Sequence, residues 1–309
     1  MKRVLVTGGA GFIGSNVVKK VLREAHTEVI VLDNLLSGYR QNLAGLDVVF
    51  IQGDVRDATV VKDAMSGCDT VFHLAASVGN TRSIANPIQD SEINVIGTLR
   101  ILETARELGV RKMVFSSSAG IFGELKTLPI CEEHPVEPDS PYGASKLCAE
   151  KLSLAYSRLY PLECVCLRYF NVYGVNQRYD AYGNVIPIFA HCLVRGMPLL
   201  IYGDGEQTRD FVNVRDVAQA NYMAALADGV SGAFNIASGT RITINRLAEM
   251  MCRASGIQSP FEHGSPRKGD VQHSLADISA ARKVLGYEPI VGLEEGLAEY
   301  MEWAKREGA

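Results

Sequence analysis

The amino-terminal stretch constrains the fold most, because a strand, a glycine turn and an amphipathic helix follow one another there. Val4-Leu5-Val6-Thr7 is an apolar run typical of a buried strand, and Gly8-Gly9-Ala10-Gly11-Phe12-Ile13-Gly14 comes directly after it. Glycines at 8, 11 and 14 permit a tight turn, close approach of the backbone to a phosphate and close packing of the next helix. Residues 29–33 then complete a βαβ unit. The combination predicts a dinucleotide-binding unit with its phosphates at the helix N-terminus.

The second predicted strand ends in an acidic residue, Asp33, at the position where a bound dinucleotide would place a ribose. A carboxylate there can accept hydrogen bonds from the ribose hydroxyls. The same negative charge would repel a 2′-phosphate, so the sequence favours NAD over NADP. The alternative is that Asp33 only ends the strand or caps a turn.

Three further apolar runs extend the alternation of strand and helix. They cover residues 48–51, 70–76 and 113–118, and a helix pattern separates each run from the next. Short, almost wholly apolar strands of this kind are typical of a parallel sheet covered by helices on both faces. The predicted fold class is therefore α/β with a doubly wound parallel sheet, whose ligands are expected at the carboxyl ends of the strands.

Residues near those strand ends have competing explanations. Asp54 follows the run at 48–51 and could contact a cofactor, or it could be the N-cap of a helix over residues 56–65. His73 lies inside a predicted strand, so we expect a hydrogen-bonded core histidine there rather than a catalytic one.

Tyr142-Gly143-Ala144-Ser145-Lys146 is the motif with the clearest catalytic chemistry. Positions four apart share one face of a helix, so the Tyr142 phenol and the Lys146 ammonium can lie close together. A phenol ionises near pH ~10, so a tyrosine base at neutral pH needs its pKa lowered by roughly three pH units, and a nearby cation favours the phenolate. The spacing alone is more typical of a solvent-exposed helix face. The glycine turn and the serine-rich run at 116–118 favour a catalytic pair.

Composition excludes several classes of protein. The chain has 309 residues, 47% of them hydrophobic, and a formal net charge of −4. This balance gives no basic patch for nucleic acid or for an anionic membrane. No apolar run reaches the length of a membrane span, so we expect a soluble, cytoplasmic protein. The seven cysteines include no Cys-x-x-Cys pair, which favours reduced, mostly buried thiols and no metal site.

Two predicted helices, over residues 94–108 and 142–160, carry apolar residues on more than one face. One face of each can cover the sheet, which leaves the other face in need of a partner. We therefore expect a homodimer built on a bundle of these helices. The apolar residues are Val95, Ile96, Leu99, Ile101, Leu102 and Leu108 in the first helix, and Leu147, Cys148, Leu152, Leu154 and Leu159 in the second.

Together the motifs resemble those of the extended short-chain dehydrogenases/reductases, and the nearest branch is the UDP-sugar 4-epimerases. The resemblance covers almost the whole chain and implies a Rossmann domain for NAD over residues 1–171 and 210–240. It also implies a smaller mixed α/β C-terminal lobe for a UDP-sugar over residues 172–209 and 241–309. The motifs that carry it lie at residues 7–14, 33–34, 37–38, 53–55, 73–76, 116–118, 142–146 and 168–174.

The family chemistry implies roles for three of these residues. Tyr142 would take the proton of the sugar C4 hydroxyl as hydride moves to NAD, and Ser118 would hydrogen-bond O4. Lys146 would hold the cofactor ribose and lower the tyrosine pKa, while Asn94 would support the site indirectly. The resulting 4-keto sugar would then rotate and be reduced on its other face. The cofactor contacts that the resemblance implies are Gly8, Gly11, Phe12, Ile13, Asp33, Asn34, Ser37, Gly38, Asp54, Val55, Leu74, Ala75, Ala76, Asn94, Ser116, Tyr142, Lys146 and Tyr169.

The resemblance also implies a site for the nucleotide half of the substrate. Planar guanidinium groups suit paired phosphate oxygens, so Arg209 and Arg267 are expected to clamp the diphosphate. Asp270 would bind the uridine ribose, and the Tyr202 ring is available for stacking. The implied substrate contacts are Ser118, Tyr142, Asn171, Asn184, Val185, Leu200, Tyr202, Arg209, Arg267, Asp270 and Ser274.

Two departures from the family pattern limit the type of reaction and the sugars that are expected as substrates. Related dehydratases and decarboxylases carry an acid where this chain has Gly120, so elimination and decarboxylation lose their acid/base group and C4 epimerisation remains. Ser274 stands where a tyrosine restricts the pocket to plain hexoses. A serine leaves room for a 2-acetamido group, so UDP-N-acetylglucosamine and its galacto epimer are expected substrates beside UDP-glucose and UDP-galactose.

Two alternatives stay open. A UDP-glucuronate 4-epimerase would need a cation for the C6 carboxylate, and Arg82 or Arg178 could serve. More distantly, a catalytically silent NAD-binding regulator could use the same fold. The presence of Ser118, Tyr142 and Lys146 favours an enzyme.

Overall fold

The structure, a computed structural model, describes residues 1–180, 183–266 and 271–307. Its strands are β1 Arg3–Thr7, β2 Glu28–Asp33, β3 Val49–Gln52, β4 Thr70–His73, β5 Lys112–Ser118, β6 Glu163–Tyr169, β7 Asn171–Tyr173, β8 Leu199–Tyr202, β9 Thr208–Arg209, β10 Phe211–Asn213, β11 Gly232–Ile236, β12 Ile242–Thr243 and β13 Phe261–Gly264. Its α-helices are α1 Phe12–Glu24, α2 Ala58–Met65, α3 Asn80–Ala85, α4 Pro87–Ser91, α5 Gly97–Glu107, α6 Pro141–Leu159, α7 Val185–Val194, α8 Val214–Leu226, α9 Ile244–Ser255, α10 Ser279–Leu285 and α11 Leu293–Glu307.

Seven parallel strands form the central sheet in the order β11-β6-β5-β4-β1-β2-β3. The order reverses between β1 and β4, whose last residues, Thr7 and His73, are paired in register. In such a sheet a crevice opens beyond the carboxyl ends of the two strands at the reversal. The topology confirms the predicted doubly wound α/β fold, including the return of the chain as edge strand β11 beside β6.

The apolar runs are nearly continuous because the inner strands are buried on both faces. In β1, Val4 and Val6 pack into the core with α1 and α8, whereas Leu5 packs into the core with α2, α5 and α6. Strand β3 is different, because it is the last strand of the sheet, and Val49 is 47% exposed. Phe50 and Ile51 still pack against the cores on opposite faces of the sheet, so only part of this strand is exposed.

Two helices begin differently from the prediction. Helix α2 begins at Ala58, and its N-cap is Asp57, whose carboxylate accepts from Thr59 N at 2.9 Å and from Val60 N at 3.2 Å. The interpretation of Asp54 as this N-cap is therefore wrong. The helix expected from residue 94 starts with a π-helical turn at Glu92–Ile96 and becomes α-helical only in α5. Such turns are rare and often occur at functional sites.

A separate hydrophobic core lies in the C-terminal half. Helices α7, α9 and α11 contribute Phe189, Met251 and Tyr300, and strands β8 and β10 contribute Ile201 and Phe211. Strand β8 pairs in parallel with β13, and β9 pairs in antiparallel with β12. We propose this core as the basis of the substrate lobe over residues 172–209 and 241–309.

Three further results concern the cysteines, the lengths of the helices and the side chains that could bind a metal. All seven cysteines are free thiols, and Cys68, Cys164, Cys166 and Cys252 are buried. No helix in the described part of the chain is both long and apolar enough to cross a bilayer. Across the same residues, no three histidine, cysteine or acidic side chains converge as the ligands of a metal would.

A buried ion pair fixes α6 against the sheet. Arg168 in β6 donates to Glu150 from Nε at 3.0 Å and from Nη2 at 2.7 Å, and Ser117 Oγ donates to the same carboxylate at 2.6 Å. Arg168 is 4% exposed and Glu150 0%. The two-pronged geometry and the extra donor offset the cost of burying both charges.

We expect Arg168→Met to lower the free energy of unfolding by roughly 3–5 kcal/mol, because it leaves the Glu150 carboxylate buried without its cation. Arg282→Met is the matched control, since Arg282 contacts Glu288 with the same two-pronged geometry, at 2.7 Å from both Nε and Nη2, on the surface. Exposed pairs contribute little, so the control should lose much less stability. Chemical denaturation measures both variants, and equal losses would contradict the prediction.

Candidate active site

The glycines after β1 bring backbone segments so close together that side chains are excluded. Gly8 has a φ of +68°, and a Cβ there would lie 2.7 Å from Ala75 N. A Cβ at Gly14 would lie 2.1 Å from Gly8 O, so α1 packs directly against the turn. Helix α1 follows Gly11 without a side-chain cap, which leaves its first amides facing the crevice for phosphate oxygens.

Asp33 lies beside this turn at the carboxyl end of β2 and is 7% exposed. Its Oδ2 accepts from Ala10 N at 2.9 Å, and its Oδ1 accepts from Leu35 N at 2.8 Å. Burial raises the pKa of Asp33 more than these two bonds lower it. A Cβ at Gly38 would lie 2.9 Å from both carboxylate oxygens, so the loop can approach the acid this closely only at a glycine. The turn and the acid together fit the diphosphate and ribose of NAD.

Asp54 belongs to a polar cluster with Arg56 and Asn34. Arg56 donates to both carboxylate oxygens, from Nε and from Nη2 at 2.8 Å, and Asn34 Nδ2 donates at 3.0 Å. The Arg56 hydrogen bond holds the pKa of Asp54 well below its usual range. The cluster links the loops that follow β2 and β3, and a direct contact of Asp54 with the cofactor stays a prediction.

The first turn of α6 packs against the turn that follows β5, and this contact brings Tyr142 to Ser118. Ser140 Oγ caps α6 by accepting from Gly143 N at 3.2 Å. A Cβ at Gly143 would lie 2.3 Å from Gly120 O. Ser118 Oγ accepts from Gly120 N at 3.1 Å, and the Ser118 hydroxyl favours the ionised form of the Tyr142 side chain, which lowers its pKa. A Cβ at Gly120 would lie 3.3 Å from Ser118 Oγ and 3.5 Å from Tyr142 Cε1, so the serine hydroxyl and the phenol ring are neighbours at the carboxyl edge of the sheet.

Burial dominates the electrostatics of Tyr142 and Lys146. It raises the pKa of Tyr142, and the hydrogen bond with Ser118 offsets only part of that rise. It lowers the pKa of Lys146 to about 8. The ammonium lies 4.4 Å from the centre of the Phe115 ring. The Tyr142 pKa is therefore raised rather than lowered, because burial of the phenol outweighs the effect of the Ser118 hydroxyl. The lowering of this pKa by Lys146 stays a prediction.

Asn94 and His73 are buried next to these groups. Asn94 is 2% exposed, and its Nδ2 donates to Ser145 Oγ at 3.0 Å. His73 is hydrogen-bonded to Thr7 Oγ1 at 2.7 Å and to Thr98 Oγ1 at 3.0 Å. Burial lowers its pKa to about 3, so the ring is neutral at pH ~7. The prediction of a hydrogen-bonded core histidine is confirmed.

In the second lobe, Arg209 and Ser274 meet at one backbone carbonyl. Arg209 is half-buried and donates from Nη1 to Thr208 O at 2.9 Å. The backbone N of Ser274 donates to the same oxygen at 3.1 Å, and Ser274 is 8% exposed. Arg209, which is expected to bind the diphosphate, and Ser274, which is expected to set the sugar specificity, therefore lie next to each other.

The other predicted substrate residues lie on neighbouring elements. Asn171 Nδ2 donates to the carbonyl of Asp210 at 3.1 Å. Asn184 is exposed immediately before α7, a helix without a side-chain cap. Leu200 and Tyr202 belong to β8, and Leu200 is 42% exposed. Asn184 and Leu200 are therefore the exposed residues of this group.

The remaining site predictions fall into three groups. Tyr169 donates from its hydroxyl to Asn221 Oδ1 at 3.0 Å inside the core, so a cofactor contact from Tyr169 would use its backbone. Arg267 and Asp270 lie outside the described residues. Of the others, Phe12, Ile13, Leu74, Ala75, Ala76 and Val185 are half-buried, Ser37 is exposed, and Val55 and Ser116 are buried.

Comparison with known proteins links these features to one family. The sequence profile of the NAD dependent epimerase/dehydratase family matches residues 4–237. A putative UDP-glucose 4-epimerase of Methanocaldococcus jannaschii is 40% identical over 304 residues, which cover 98% of each chain.

Two solved structures are similar along almost the whole chain. The UDP-glucose 4-epimerase of Thermotoga maritima, solved with UDP-glucose, has a TM-score of 0.94 and 38% identity, covering 99% of each chain. The UDP-N-acetylglucosamine 4-epimerase of Methanobrevibacter ruminantium, in complex with UDP-N-acetylmuramic acid, has a TM-score of 0.95 and 36% identity, again covering 99% of each. The cofactor is NAD, and the chain belongs to the NAD-dependent epimerase/dehydratase family.

Proposed function

We propose that the protein is an isomerase that inverts C4 of a UDP-hexose through a transient 4-keto sugar. The observation that carries this proposal is that the Ser118 hydroxyl and the Tyr142 ring both lie within 3.5 Å of the Cβ position of Gly120, at the strand ends and beside a glycine turn that fits NAD. The substrates proposed are UDP-glucose with UDP-galactose, and also UDP-N-acetylglucosamine with UDP-N-acetylgalactosamine.

Each of the three catalytic groups has one task. When bound, NAD supplies reversible hydride transfer at C4 of the sugar. Tyr142 removes the proton of the C4 hydroxyl and later returns it, and Ser118 positions O4 by a hydrogen bond. Because burial raises the Tyr142 pKa, the phenolate depends on a cation in the same buried site, and Lys146 is that cation.

Gly120 supports epimerisation over elimination or decarboxylation. A Cβ at this position would lie 3.3 Å from Ser118 Oγ and 3.5 Å from Tyr142 Cε1. A carboxylate at residue 120 would therefore reach the reacting part of a sugar held by these two groups. With glycine there, the protein has no acid at this point to expel water or to promote loss of carbon dioxide.

The second lobe supports the binding of the UDP half. The uncapped N-terminus of α7, with Asn184 before it, suits a phosphate group, and Arg209, whose guanidinium lies beside the Ser274 backbone, is proposed as a second diphosphate contact. Asn171, the exposed Leu200 and the half-buried Tyr202 are proposed for the remaining nucleotide contacts. Arg267 and Asp270 are proposed from the sequence alone.

The environments of two arginines argue against the UDP-glucuronate alternative. Arg82 forms an ion pair with Asp180, and Arg178 donates from Nη1 to Glu307 at 2.7 Å. The Arg178 guanidinium also lies 4.4 Å from the centre of the Tyr39 ring. Both candidate cations for a C6 carboxylate therefore already have acidic partners. The silent-regulator alternative is disfavoured because it gives no reason for Ser118, Tyr142 and Lys146 to occur together.

We further propose a homodimer formed through the helices predicted over residues 94–108 and 142–160. Ala144, Cys148 and Leu159 follow one another at intervals that place them on one side of α6, and all three are exposed. In the other helix Ile96 is 47% exposed, and Ile88 in the preceding helix α4 is 76% exposed. An apolar surface of this kind on a soluble protein is typical of an interface.

The overall proposal is tested by incubating the purified protein separately with UDP-glucose, UDP-N-acetylglucosamine and UDP-glucuronate. Proton couplings on the sugar ring report inversion at C4 directly. We expect inversion of the first two sugars and not of the third. No inversion of any of the three would refute the proposed function.

Tyr142→Phe should lower kcat on UDP-glucose by roughly 100- to 10,000-fold, the usual contribution of a general acid/base. The protein should keep its fold, because the ring and its packing are retained. Tyr222→Phe is the control, since that hydroxyl donates only weakly to Glu24 O, at 3.5 Å, on the far side of the sheet. A Tyr142→Phe variant as active as the control would show that the phenol is not the base.

Ser274→Tyr should lower kcat/KM for UDP-N-acetylglucosamine roughly tenfold more than kcat/KM for UDP-glucose, because the larger ring fills the space proposed for the acetamido group. Ser274→Ala keeps that space and should leave the ratio of the two values unchanged. Steady-state kinetics on both sugars measures the ratio. Equal losses on both sugars in the tyrosine variant would remove the proposed role of this residue.

The double variant Ile96→Arg/Cys148→Arg should be monomeric, because two charges on each copy would be buried in the proposed interface. The control is Ile290→Arg, since Ile290 is 78% exposed and lies just before α11, away from the interface helices. Light scattering should give twice the chain mass for the wild type and for the control. A monomeric wild type in dilute solution would refute the dimer.

A further inference from the structure

A buried carboxylate lies beside the catalytic motif and belongs to no role assigned so far. Asp90, in α4, is 1% exposed. Its Oδ2 accepts from Ser145 Oγ at 2.5 Å and from Asn94 Nδ2 at 3.2 Å, whereas its Oδ1 is buried without a hydrogen-bond partner. Ser145 is the residue immediately before Lys146, so the carboxylate contacts the catalytic turn of α6 directly.

Asp90 differs from the other buried acid near Lys146. Glu150 is paired with both donors of the Arg168 guanidinium and also accepts from Ser117. Asp90 forms no ion pair with any described residue, and its hydrogen bonds come from neutral groups. A buried ionised carboxylate without a cation in its vicinity is expensive, so a compensating positive charge is expected nearby.

Lys146 is a buried cation near Asp90 that also lacks an ion pair among the described residues. It is 2% exposed, and its ammonium lies over the Phe115 ring without an ion pair among the described side chains. The titratable groups that face it are Asp90 from α4, Glu150 from its own helix, Cys166 from β6 and His73 from β4. Glu150 is neutralised by its arginine, and burial keeps the Cys166 thiol and the His73 ring uncharged. The Asp90 carboxylate therefore remains as the anion that Lys146 balances.

We propose that Asp90 is a positioning residue that keeps Lys146 protonated and sets the pH range in which the Tyr142–Lys146 pair works. The pH range of activity has a meaning only if the proposed function is right. The charge interaction between Asp90 and Lys146 does not depend on that function. Asp90 acts through Lys146 and Ser145 and does not touch the substrate.

The direction of the effect follows from the sign of the charge. Burial lowers the pKa of Lys146 to about 8, and Asp90 acts in the opposite direction on that pKa. Asp90 also adds to the rise of the Tyr142 pKa that burial causes. Removing the negative charge lowers the pKa of both neighbours. Lys146 then loses its proton nearer neutral pH, and the activity range moves to lower pH.

The test is Asp90→Asn, which removes the charge and keeps the shape. Ultraviolet absorbance of tyrosinate, taken as the difference between each protein and the same protein carrying Tyr142→Phe, isolates this one phenol in the NAD-loaded enzyme. We expect its titration to move down by roughly one pH unit. Ser145→Ala, which removes a hydrogen bond and keeps the charge, should leave the titration close to the wild type.

Two further variants keep the inference falsifiable. Asp90→Leu replaces the charge with an apolar group of similar size and is the variant to use if Asp90→Asn does not fold. Asp90→Glu keeps the charge and should restore the wild-type titration. An unchanged Tyr142 titration in both uncharged variants would overturn the inference, because it would mean that Asp90 carries no charge.

The failures of the two proposals are distinguishable. The titration needs no turnover, so a shift in a protein that epimerises no sugar would support the role of Asp90 and refute the proposed function. In an active enzyme, the kcat profile of Asp90→Asn should shift to lower pH on both its acid side and its alkaline side. A uniform loss at every pH with no shift would indicate a structural role only.

Discussion

The backbone contact between the first turn of α6 and the turn after β5 determines the geometry of the whole site. Gly120 O approaches Gly143 so closely that a Cβ there would lie 2.3 Å away, and Pro138 closes the other side at 2.9 Å. Because backbone makes this contact, the distance depends on the sheet and the helix and not on a rotamer. Ser118 and Tyr142, one on each side of the contact, are held together without a flexible intermediary. Pre-organisation of this kind is what general acid/base chemistry requires.

Buried charges in this chain are treated in two ways. Lys112, which is fully buried, donates to Glu163 at 2.7 Å and to Val230 O at 2.9 Å, and thereby fastens the start of β5 to the segment after α8. The Arg168–Glu150 pair is equally complete. Lys146 forms no ion pair with any residue that the structure describes, and the charge proposed to balance it is the Asp90 carboxylate. A charge without a fixed partner can respond when a proton leaves the neighbouring phenol, whereas a fully paired charge mainly stabilises the fold.

How much the sequence predicts depends on whether a feature is local. The glycine turn and the apolar strands follow from short-range patterns, and the predicted strand positions agree with the structure within one to three residues. Asp57 as a cap was missed because Asp54 and Asp57 are both suitable residues three positions apart, and only the start of the helix decides between them. The exposure of β3 depends on strand order, which a single run does not encode.

The long-range features could not be predicted at all. Asp90 and Ser145 are 55 positions apart, and nothing in either segment indicates their contact. The Tyr142 pKa was predicted to fall because the spacing of the motif reports proximity to a cation but not burial. In the structure, burial decides the direction. The same limit holds for Arg82 and Arg178, whose acidic partners are known only from the fold.

One buried acid, Asp210, connects the sheet to the C-terminal segment that contains Ser274. It is 0% exposed, and its carboxylate accepts from Ser238 N at 2.8 Å, Ser238 Oγ at 2.7 Å, Gly239 N at 3.1 Å and Ala276 N at 3.3 Å. Ser238 follows edge strand β11, whereas Ala276 is two residues after Ser274. The position of the proposed sugar pocket relative to the sheet is therefore fixed by hydrogen bonds to backbone. Ser274 joins this framework through its backbone N, so its side chain can vary without loosening the framework. Sugar preference can then change at this position while the catalytic geometry stays the same.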